Sequence, residues 1–440
     1  MAKTSTLRLC KLGIKSQQVE FVFDVNGHKV TSGYAFDFNL NQEIELNNSL
    51  LRKYVLYAAL SYAPMLFRLD YFDEFYVEFP MSNQEAEFFE DLIFKGLAEL
   101  RYTCGIDITK KTRLTPNSYI EANTNESKAK PRGNRALGFL GGGKDGLVAA
   151  ETLHRLNQPF DVFILNPHEF RKKQLDNWED VKLYSARRLK RRGAENLQTK
   201  NDGHNPLSAE LAALGHIVAL TMGHKYISVA NEYSANFPNL TENGVSINHQ
   251  YTKSFEYEIK LQSLYRSSFK NSPYYFSLLR PLYEFQIMKI FSNSKRLNSG
   301  FSSCNQVSAE GGWCLDCPKC AYIILTMWAV DPKQAKRLWG DSVFQPQNMY
   351  LQLLALINGE AKPLECVGTL EESRYAAYLA HENLAFKNLD SDQRLEILEY
   401  ASINVEKNHK TMSNIDRDNS FPSELSGSIL SHFRQELEIE

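Results

Sequence analysis

The sequence lacks any long hydrophobic run. No stretch approaches the roughly 18 consecutive apolar residues that a membrane-spanning helix needs. Residues 1–8 also lack the apolar core and the small-residue cleavage site of a signal peptide. We therefore expect no membrane association, and we expect the protein to remain in the cytoplasm.

An excess of charge of one sign is missing as well. The 50 Lys and Arg residues are balanced by 52 Asp and Glu residues, whereas proteins that bind nucleic acid usually carry a basic excess or patch. The basic segment 187–192 has no interleaved aromatic residues, which favours a solvated helix face over a nucleic-acid contact. Composition thus argues against nucleic acid as a partner.

Cysteine is scarce and unevenly distributed. The seven cysteines are an odd number, and four of them lie between positions 304 and 320. In a reducing cytosol, such clustering argues against a disulfide framework and favours metal binding or catalysis.

The sequence does contain ample apolar surface for folding. Hydrophobic residues make up 43% of the chain and aromatic residues 12%, which excludes a disordered chain. A length of 440 residues indicates two or three domains, at about 100–200 residues each. We predict an α+β accessory domain over residues 1–110, a polar linker over 111–135, an α/β domain over 136–330 and a helical region over 331–440. The last thirty residues are polar and are expected to be loose.

Local patterns define the expected elements of the accessory domain. The first forty residues alternate apolar and polar side chains around an Asn-Gly turn at 26–27, which predicts antiparallel strands. Helices are expected over 50–60 and over 83–100. Ser82 and Glu85 form the pattern of a capping box at the start of the second helix.

The α/β domain shows a strand, a glycine loop, a helix and a second strand in succession. Apolar runs at 136–140 and 160–165 flank a glycine-rich segment and a helical pattern at 147–156. A helix over 207–222 and a strand over 225–230 follow. This alternation predicts a parallel sheet with helices on both faces. In such sheets, ligands bind beyond the carboxyl ends of the strands.

Two polar segments fall at such strand ends. They consist of Gly141, Gly142, Gly143, Lys144, Asp145 and Gly146 after the first strand, and of Asn231 and Glu232 after the strand at 225–230. Consecutive backbone amides without side chains, at a helix N-terminus, cradle an anion such as pyrophosphate. The spacing matches neither the Walker loop nor the dinucleotide-binding pattern. We predict a phosphate-binding loop, with a glycine-rich turn that binds no ligand as the alternative.

The four clustered cysteines have the spacing of metal ligands. Cys304, Cys314, Cys317 and Cys320 give the pattern C-x9-C-x2-C-x2-C. Gaps of two residues let adjacent thiolates meet one tetrahedral ion at about 2.3 Å, and the longer loop supplies the fourth ligand. A closed four-thiolate site predicts structural zinc. An iron–sulfur cluster and free catalytic thiols are the alternatives.

The glycine loop resembles the PP-loop, S-G-G-x-D-S after a strand, of ATP pyrophosphatase-type enzymes that release AMP and pyrophosphate. Gly142, Gly143 and Asp145 keep that pattern, while Gly141 and Gly146 replace its two serines. The glycine at 146 removes a hydroxyl that would donate to a phosphate oxygen. The cysteine spacing downstream resembles the zinc site of the cyano-deazaguanine synthase family, which supports a PP-loop fold.

Further segments resemble MurL, the UDP-N-acetylmuramoyl-L-alanyl-L-glutamate epimerase family. In chain order they are NDGHNP (201–206), ANEYSAN (230–236), HQYTKSFEYE (249–258), LRPLYE (279–284), FSSCN (301–305) and KPLECVGT (362–369). The resemblance runs from about Phe139 to Glu372. It implies inversion of the terminal glutamate of a peptidoglycan precursor, with ATP and Mg²⁺ taking part.

The resemblance also implies roles for polar residues. Conversion of the glutamate carboxylate to an acyl-adenylate would remove its charge, so that a general base can take the α-proton. Candidates for base and acid are His249, Tyr251, Lys253 and Glu258, among which the sequence does not choose. Lys253 and Arg280 are candidate clamps for a carboxylate or phosphate. Asp145 and Glu232 are candidate ligands of Mg²⁺.

Alternative functions remain open at this stage. One is a different PP-loop enzyme that activates a carboxylate or a base, as in deazaguanine synthesis or tRNA modification. Another is a zinc-stabilised binding protein whose ATP site has lapsed, as the glycines at 141 and 146 would allow. The basic segment 187–192 has a further alternative role in contacting the diphosphate of a UDP-sugar.

Overall fold

The computed structural model describes residues 4–40, 48–121, 133–294, 300–307, 311–359 and 361–439, without the side chains of Asn48 and Asn177. The strands in these ranges are β1 (Thr6–Lys15), β2 (Gln18–Val25), β3 (His28–Phe36), β4 (Glu74–Val77), β5 (Arg113–Pro116), β6 (Ala136–Phe139), β7 (Phe160–Leu165), β8 (Leu183–Arg188), β9 (Tyr226–Val229), β10 (Leu240–Glu242), β11 (Val245–Ile247) and β12 (Tyr274–Ser277). Strands β10 and β11 pair as a separate hairpin, and the other ten form one sheet.

The order of strands across this sheet is β12-β9-β6-β7-β8-β3-β2-β1-β4-β5. From β12 to β8, neighbouring strands run parallel, whereas β3 joins β8 antiparallel with Phe36 opposite Ala186. Strands β1 to β3 confirm the predicted antiparallel strands and are arranged as a meander, and β4 and β5 continue the sheet parallel to β1. The N-terminal strands thus extend the sheet of the α/β half, while the domain boundary near residue 110 stays a prediction.

The α-helices of the described ranges are α1 (Asn48–Tyr62), α2 (Asn83–Gly96), α3 (Ala98–Thr103), α4 (Lys144–Arg155), α5 (Glu169–Lys173), α6 (Leu207–Met222), α7 (Phe255–Ser268), α8 (Glu284–Asn293), α9 (Pro318–Val330), α10 (Pro332–Trp339), α11 (Gln347–Ile357), α12 (Leu370–Glu382), α13 (Ser391–Ala401), α14 (Val405–Met412) and α15 (Ser423–Leu437). The predicted capping box begins α2, since Ser82 Oγ accepts from the Glu85 amide and the Ser82 amide donates to the Glu85 carboxylate. Among these helices, none is long and apolar enough to cross a bilayer.

Helices cover both faces of the parallel half of the sheet. Strand β7 is buried throughout, and its side chains alternate between two hydrophobic cores. Phe163 and Leu165 belong to the core that includes α1 and α6, whereas Val162 and Ile164 belong to the core that includes α4, α8 and α9. A strand buried on both faces is typical of a parallel sheet in an α/β protein. The predicted α/β fold is therefore confirmed.

Two expectations about less regular segments are wrong. The basic segment begins in strand β8, which pairs with β3, and so does not form a helix face. The C-terminal residues, expected to be loose, contain α15, because Ile429, Phe433 and Leu437 recur every four residues and are buried. The predicted linker contains strand β5, and its residues 122–132 lie outside the described residues.

Candidate active site

A cavity of about 730 Å³ lies beyond the carboxyl ends of β6, β7 and β9. The glycine loop after β6, Asn166 after β7 and Asn231 after β9 all line it. Its volume falls within the range of about 300–1,000 Å³ that is typical of small-molecule sites. The cavity therefore occupies the position predicted for a ligand of a parallel sheet.

The glycine loop forms the floor of the cavity at the start of α4, with Gly143 as the N-cap residue. Gly142 has a φ of +96°, and a Cβ there would lie 3.5 Å from the Arg171 side chain. A Cβ on Gly146 would lie 3.0 Å from the Phe139 carbonyl oxygen. Gly142 is thus required by its backbone conformation, and a serine at 146 would crowd the end of β6.

A second segment supplies hydroxyl groups to this loop. The Ser302 amide donates to the Gly142 carbonyl at 3.1 Å, and the Lys144 amide donates to Ser303 Oγ at 3.4 Å. Ser303 also lines the cavity. A hydroxyl group therefore lies beside a loop that has glycines, Gly141 and Gly146, at the two serine positions of the PP-loop pattern. Sequence reasoning missed this role, although the segment 301–305 was among those that resembled the MurL family.

A network of buried charges underlies the glycine loop. Lys144 forms ion pairs with Asp145 and Glu284, and the side chains of both Lys144 and Glu284 are fully buried. Lys319 Nζ lies 3.2 Å from the other carboxylate oxygen of Glu284. Burial alone would raise the pKa of Glu284, but Lys144 and Lys319 outweigh it and lower that pKa to about 2. Lys144 therefore faces these carboxylates below the cavity, whereas Asp145 and Lys319 also line it.

Glu232 is a fully buried carboxylate next to Asn231, which lines the cavity, and is itself outside the cavity lining. Its Oε1 accepts from Gln250 Nε2 at 2.6 Å, while its buried Oε2 has no hydrogen-bond partner among the described residues. A buried carboxylate oxygen without a partner is costly unless a cation or another donor satisfies it. Glu232 and Asp145 thus fit the carboxylate ligand type of a magnesium ion, and their role as its ligands stays a proposal.

Two of the predicted site residues form an ion pair behind the cavity. Arg280 donates to Glu258 Oε2 from Nε at 2.9 Å and from Nη2 at 2.7 Å, and both side chains are buried. Arg280 also donates to the backbone carbonyls of Glu232 and Lys253 at 2.9 and 2.7 Å. Neither Arg280 nor Glu258 lines the cavity. This placement favours a role in holding residues 232 and 253 over direct contact with a ligand.

Tyr251 points away from the cavity towards the accessory half. Its hydroxyl donates to Asp91 Oδ2 on α2 at 2.6 Å. Burial, followed by the nearby Asp91 carboxylate, raises the pKa of Tyr251 well above its ordinary value. A phenol whose pKa is raised in this way is a poor general base, so the structure favours a packing role for Tyr251.

Lys253 and His249, in contrast, both line the cavity. His249 Nδ1 lies 2.6 Å from Glu99 Oε2, and Cys366 and Glu99 together raise the pKa of His249 to about 9 against the effect of burial. Lys253 Nζ lies 3.8 Å from Cys366 Sγ. Sequence reasoning did not select Cys366 or Glu99. The segment 362–369 was quoted for its resemblance, but a single cysteine 113 positions from Lys253 gave no signal of contact.

Glu99, His204 and His249 also lie close together, with ligand atoms within 4.8 Å of one another. Glu99 and His249 already satisfy each other through their hydrogen bond. Lys253 adds positive charge that, after burial and His249, lowers the pKa of His204 to about 3. A neighbouring ammonium group repels a metal cation, so we interpret this cluster as a hydrogen-bonded Glu99–His249 pair with the His204 ring packed beside it.

Arg171 is a cation of the cavity that has no anionic partner among the described residues. It follows β7 on the short helix α5, and it packs beside Gly142. Its Nε is buried without a hydrogen-bond acceptor, and its guanidinium forms no ion pair with any residue that the structure describes. Burial lowers the pKa of Arg171. A guanidinium placed in this way suits an anionic ligand such as phosphate, which it can bind through two parallel hydrogen bonds.

The four clustered cysteines come together as predicted. Their sulfur atoms all lie within 4.8 Å of one another, and Cys314 Sγ is 3.7 Å from Cys320 Sγ. Four sulfurs at about 2.3 Å from a tetrahedral zinc ion would be about 3.8 Å apart. Disulfide sulfurs would be separated by only about 2.05 Å. The arrangement therefore fits a metal centre, and zinc as its occupant stays a prediction.

The parallel half of the sheet, with a glycine loop and a charged cavity at its carboxyl edge, defines an α/β protein with a candidate small-molecule site. The family model of the MurL N-terminal domain matches residues 2–278, and that of the MurL C-terminal domain matches residues 300–409. The chain belongs to the MurL family.

Curated relatives agree with this assignment. The chain is 31% identical over 320 residues to the UDP-N-acetyl-alpha-D-muramoyl-L-alanyl-L-glutamate epimerase of Micromonospora sp., covering 69% of each chain. It is 31% identical over 310 residues to the epimerase of the same name from Salinispora tropica, covering 67% of this chain and 65% of the relative. The relative from Xanthomonas oryzae pv. oryzae is 27% identical over 315 residues, with 68% and 67% covered. No solved structure matches the chain.

Proposed function

We propose that the protein uses ATP to invert the terminal L-glutamate of UDP-N-acetylmuramoyl-L-alanyl-L-glutamate to D-glutamate, with AMP and pyrophosphate as by-products. The names of its relatives support the substrate and the reaction. The observation that carries the proposal is that one cavity joins a phosphate-type glycine loop to a group of ionisable side chains. The cytoplasm, where ATP and nucleotide-linked precursors are found, is the proposed site of action.

The chemistry of the reaction explains why ATP is needed. Removal of the α-proton beside a free carboxylate would place a carbanion next to a full negative charge. Transfer of an adenylyl group to the carboxylate removes that charge and lets an enolate form. A base can then take the proton, an acid can return a proton to the opposite face, and hydrolysis releases the inverted product.

The proposed phosphate site is the glycine loop with Ser303 and Arg171. The backbone amides at the start of α4 and the Ser303 hydroxyl offer neutral donors, and Arg171 offers a charged one. When bound, Mg²⁺ would neutralise charge on the phosphates, and Asp145 and Glu232 would hold it. Lys144 and Lys319 hold the carboxylates of this region in place through Glu284.

A direct test follows both products of activation and inversion. The protein is incubated with ATP, Mg²⁺ and the L-glutamate substrate in D₂O, and AMP release and α-deuterium in the product are measured. We expect AMP and α-deuteration to depend on the muramoyl peptide. AMP without deuteration would indicate an enzyme that modifies the activated carboxylate. The absence of both from folded, metal-loaded protein would contradict the proposal.

Replacement of Arg171 by methionine tests the phosphate site. We expect the KM for ATP to rise by roughly 10- to 100-fold, because a hydrogen bond to a charged group contributes about 1.5–3 kcal/mol. The matched control is Lys172→Met, since Lys172 is a neighbouring cation with 40% side-chain exposure that pairs with the exposed Glu169 at 2.9 Å. Steady-state AMP release should show the control within about twofold of the unmodified enzyme. An equal effect of both substitutions would assign the change to general surface charge.

A further inference from the structure

Cys366 lines the cavity together with His249 and Lys253, and Lys253 Nζ lies 3.8 Å from its sulfur. The carboxylate of Glu99 lies 2.6 Å from His249 Nδ1, and the nearby His249 ring and Cys366 thiol act on each other electrostatically. Glu99 and His249 are largely buried, while Cys366 is partly exposed and lines the cavity. A carboxylate that orients an imidazole near a thiol is an arrangement that favours the thiolate.

Charges around the thiol favour its ionised form. Lys253 Nζ lies 3.8 Å from Cys366 Sγ, and the positive charge of Lys319 on α9 also lowers the pKa of the thiol. Burial would raise the pKa of Cys366, but Lys253 and His249 outweigh it and lower that pKa to about 7. In turn, burial would lower the pKa of His249, but Cys366 and Glu99 raise it to about 9. Near neutral pH, a thiolate beside an imidazolium and the neutral thiol are therefore both accessible.

The same lysine links the thiol to the proposed phosphate site. Burial would lower the pKa of Lys253, but the charges of Cys366, Glu232 and Asp145 raise it. Lys253, Cys366 and Asp145 line the same cavity, and Lys253 contacts the thiol. A glutamyl group whose carboxylate is activated there would have its α-carbon near this part of the cavity.

We propose, on the basis of the proposed epimerase function, that Cys366 is the catalytic residue that exchanges the α-proton of the activated glutamyl group on one face. His249, Glu99 and Lys253 are positioning residues for its thiol. In the forward step the Cα–H bond breaks, its electron pair moves into the adjacent carbonyl as an enolate, and the proton forms an S–H bond. A solvent-derived proton then adds to the opposite face of Cα, and the thiol returns its proton to solvent after the product leaves.

The first test separates activation from proton transfer. Both epimers of the muramoyl dipeptide are incubated in D₂O with ATP, Mg²⁺ and either Cys366→Ala or unmodified protein. We expect AMP release within about threefold of the unmodified protein, because adenylation does not use the thiol. Epimer formation should fall by roughly 10²- to 10⁴-fold, the usual contribution of general acid–base catalysis. The rate of deuterium incorporation at the α-carbon should fall for the epimer whose α-proton the thiolate removes.

The control is Cys104→Ser, which removes a partly exposed thiol that lies outside the cavity. It should leave both rates within about twofold. Epimerisation and exchange near normal in folded Cys366→Ala would overturn the proposal. Loss of AMP together with exchange, or a covalent acyl-enzyme seen by intact mass, would also overturn it, since the thiol would then act in binding or as a nucleophile. Absence of AMP from the unmodified protein would instead contradict the proposed function.

A second measurement does not depend on how a Cys366 variant folds. The rate of iodoacetamide alkylation at Cys366, followed by peptide mass mapping of the native protein, should rise with pH around a midpoint near 7. In His249→Gln the midpoint should move upward, because the imidazolium that stabilises the thiolate is gone. A midpoint at the ordinary thiol value of 9.0 in the unmodified protein would overturn the proposed thiolate.

Discussion

Replacing Lys144 with methionine is expected to destabilise the protein by roughly 3–5 kcal/mol, the usual cost of removing one partner from a buried ion pair. The substitution leaves Asp145 without its ion pair and leaves Glu284 with Lys319 alone. Both side chains are fully buried, so water cannot solvate the carboxylate charge that the substitution leaves behind. We also expect AMP formation to be lost, since these side chains support the floor of the proposed ATP site. Circular dichroism during denaturant unfolding and AMP release measure the two effects.

The pH dependence of stability should show the same network. The pKa of Glu284 in the folded protein is about 2, below its ordinary value of 4.5. A carboxyl group with a lowered pKa stabilises the fold above its unfolded value and loses that contribution as the pH falls. The unmodified protein should therefore lose stability between about pH 4.5 and pH 2 partly through this group. A Glu284→Gln variant should lose less over the same interval.

Two controls test whether buried charge is the cause. Lys336→Met removes an exposed lysine that pairs with Asp341 at 2.7 Å, and it should change stability by no more than about 1 kcal/mol. The double variant Lys144→Met/Glu284→Gln should be more stable than Lys144→Met, because it leaves less unpaired charge in the interior. A single Lys144 variant as stable as the Lys336 variant would contradict this account.

The sequence pattern was sufficient for the fold of the α/β half. Strand β7 and helix α6 occur at the predicted positions, because each is a long apolar segment bounded by turn residues. The four cysteines were equally readable, since ligand spacing is a local property of the chain. The continuity of the sheet could not be predicted from the sequence. It depends on the antiparallel contact of β3 with β8, which are about 150 residues apart, and neither strand carries a signal of the other.

The site was predicted where it depends on local geometry and missed where it depends on long-range contact. The glycine loop and Asn231 follow directly from strand ends. Arg171 gave no signal because an arginine in a basic helical turn is usually solvated. Its proposed role comes from its place beside Gly142, where its buried Nε has no partner among the described residues. Glu258 was selected as a polar residue in a suggestive segment, but its bonds to Arg280 could be known only from the folded chain.

Replacing Cys317 with serine, which should remove the metal predicted at the four cysteines, is the second substitution with a large expected effect. The cysteines fix the segment that carries Ser302 and Ser303 against the glycine loop, and Cys317 is the N-cap residue of the buried helix α9. Structural zinc contributes about 10–16 kcal/mol of apparent binding free energy in zinc-finger peptides. We therefore expect Cys317→Ser to lose the metal and to lose AMP formation. Its free energy of unfolding should fall by several kcal/mol, so that it unfolds at a lower denaturant concentration.

Metal analysis, together with unfolding of the same samples, decides the outcome. The unmodified protein should contain one zinc ion per chain, and a strong chelator should reproduce the unfolding of Cys317→Ser. The matched control is Cys10→Ser in strand β1, a partly exposed cysteine outside the cluster, which should retain zinc and change stability by less than about 0.5 kcal/mol. Iron with sulfide in place of zinc would indicate a cluster protein. Fully active protein with no metal would mean that the four thiols stabilise the loop by packing and hydrogen bonding alone.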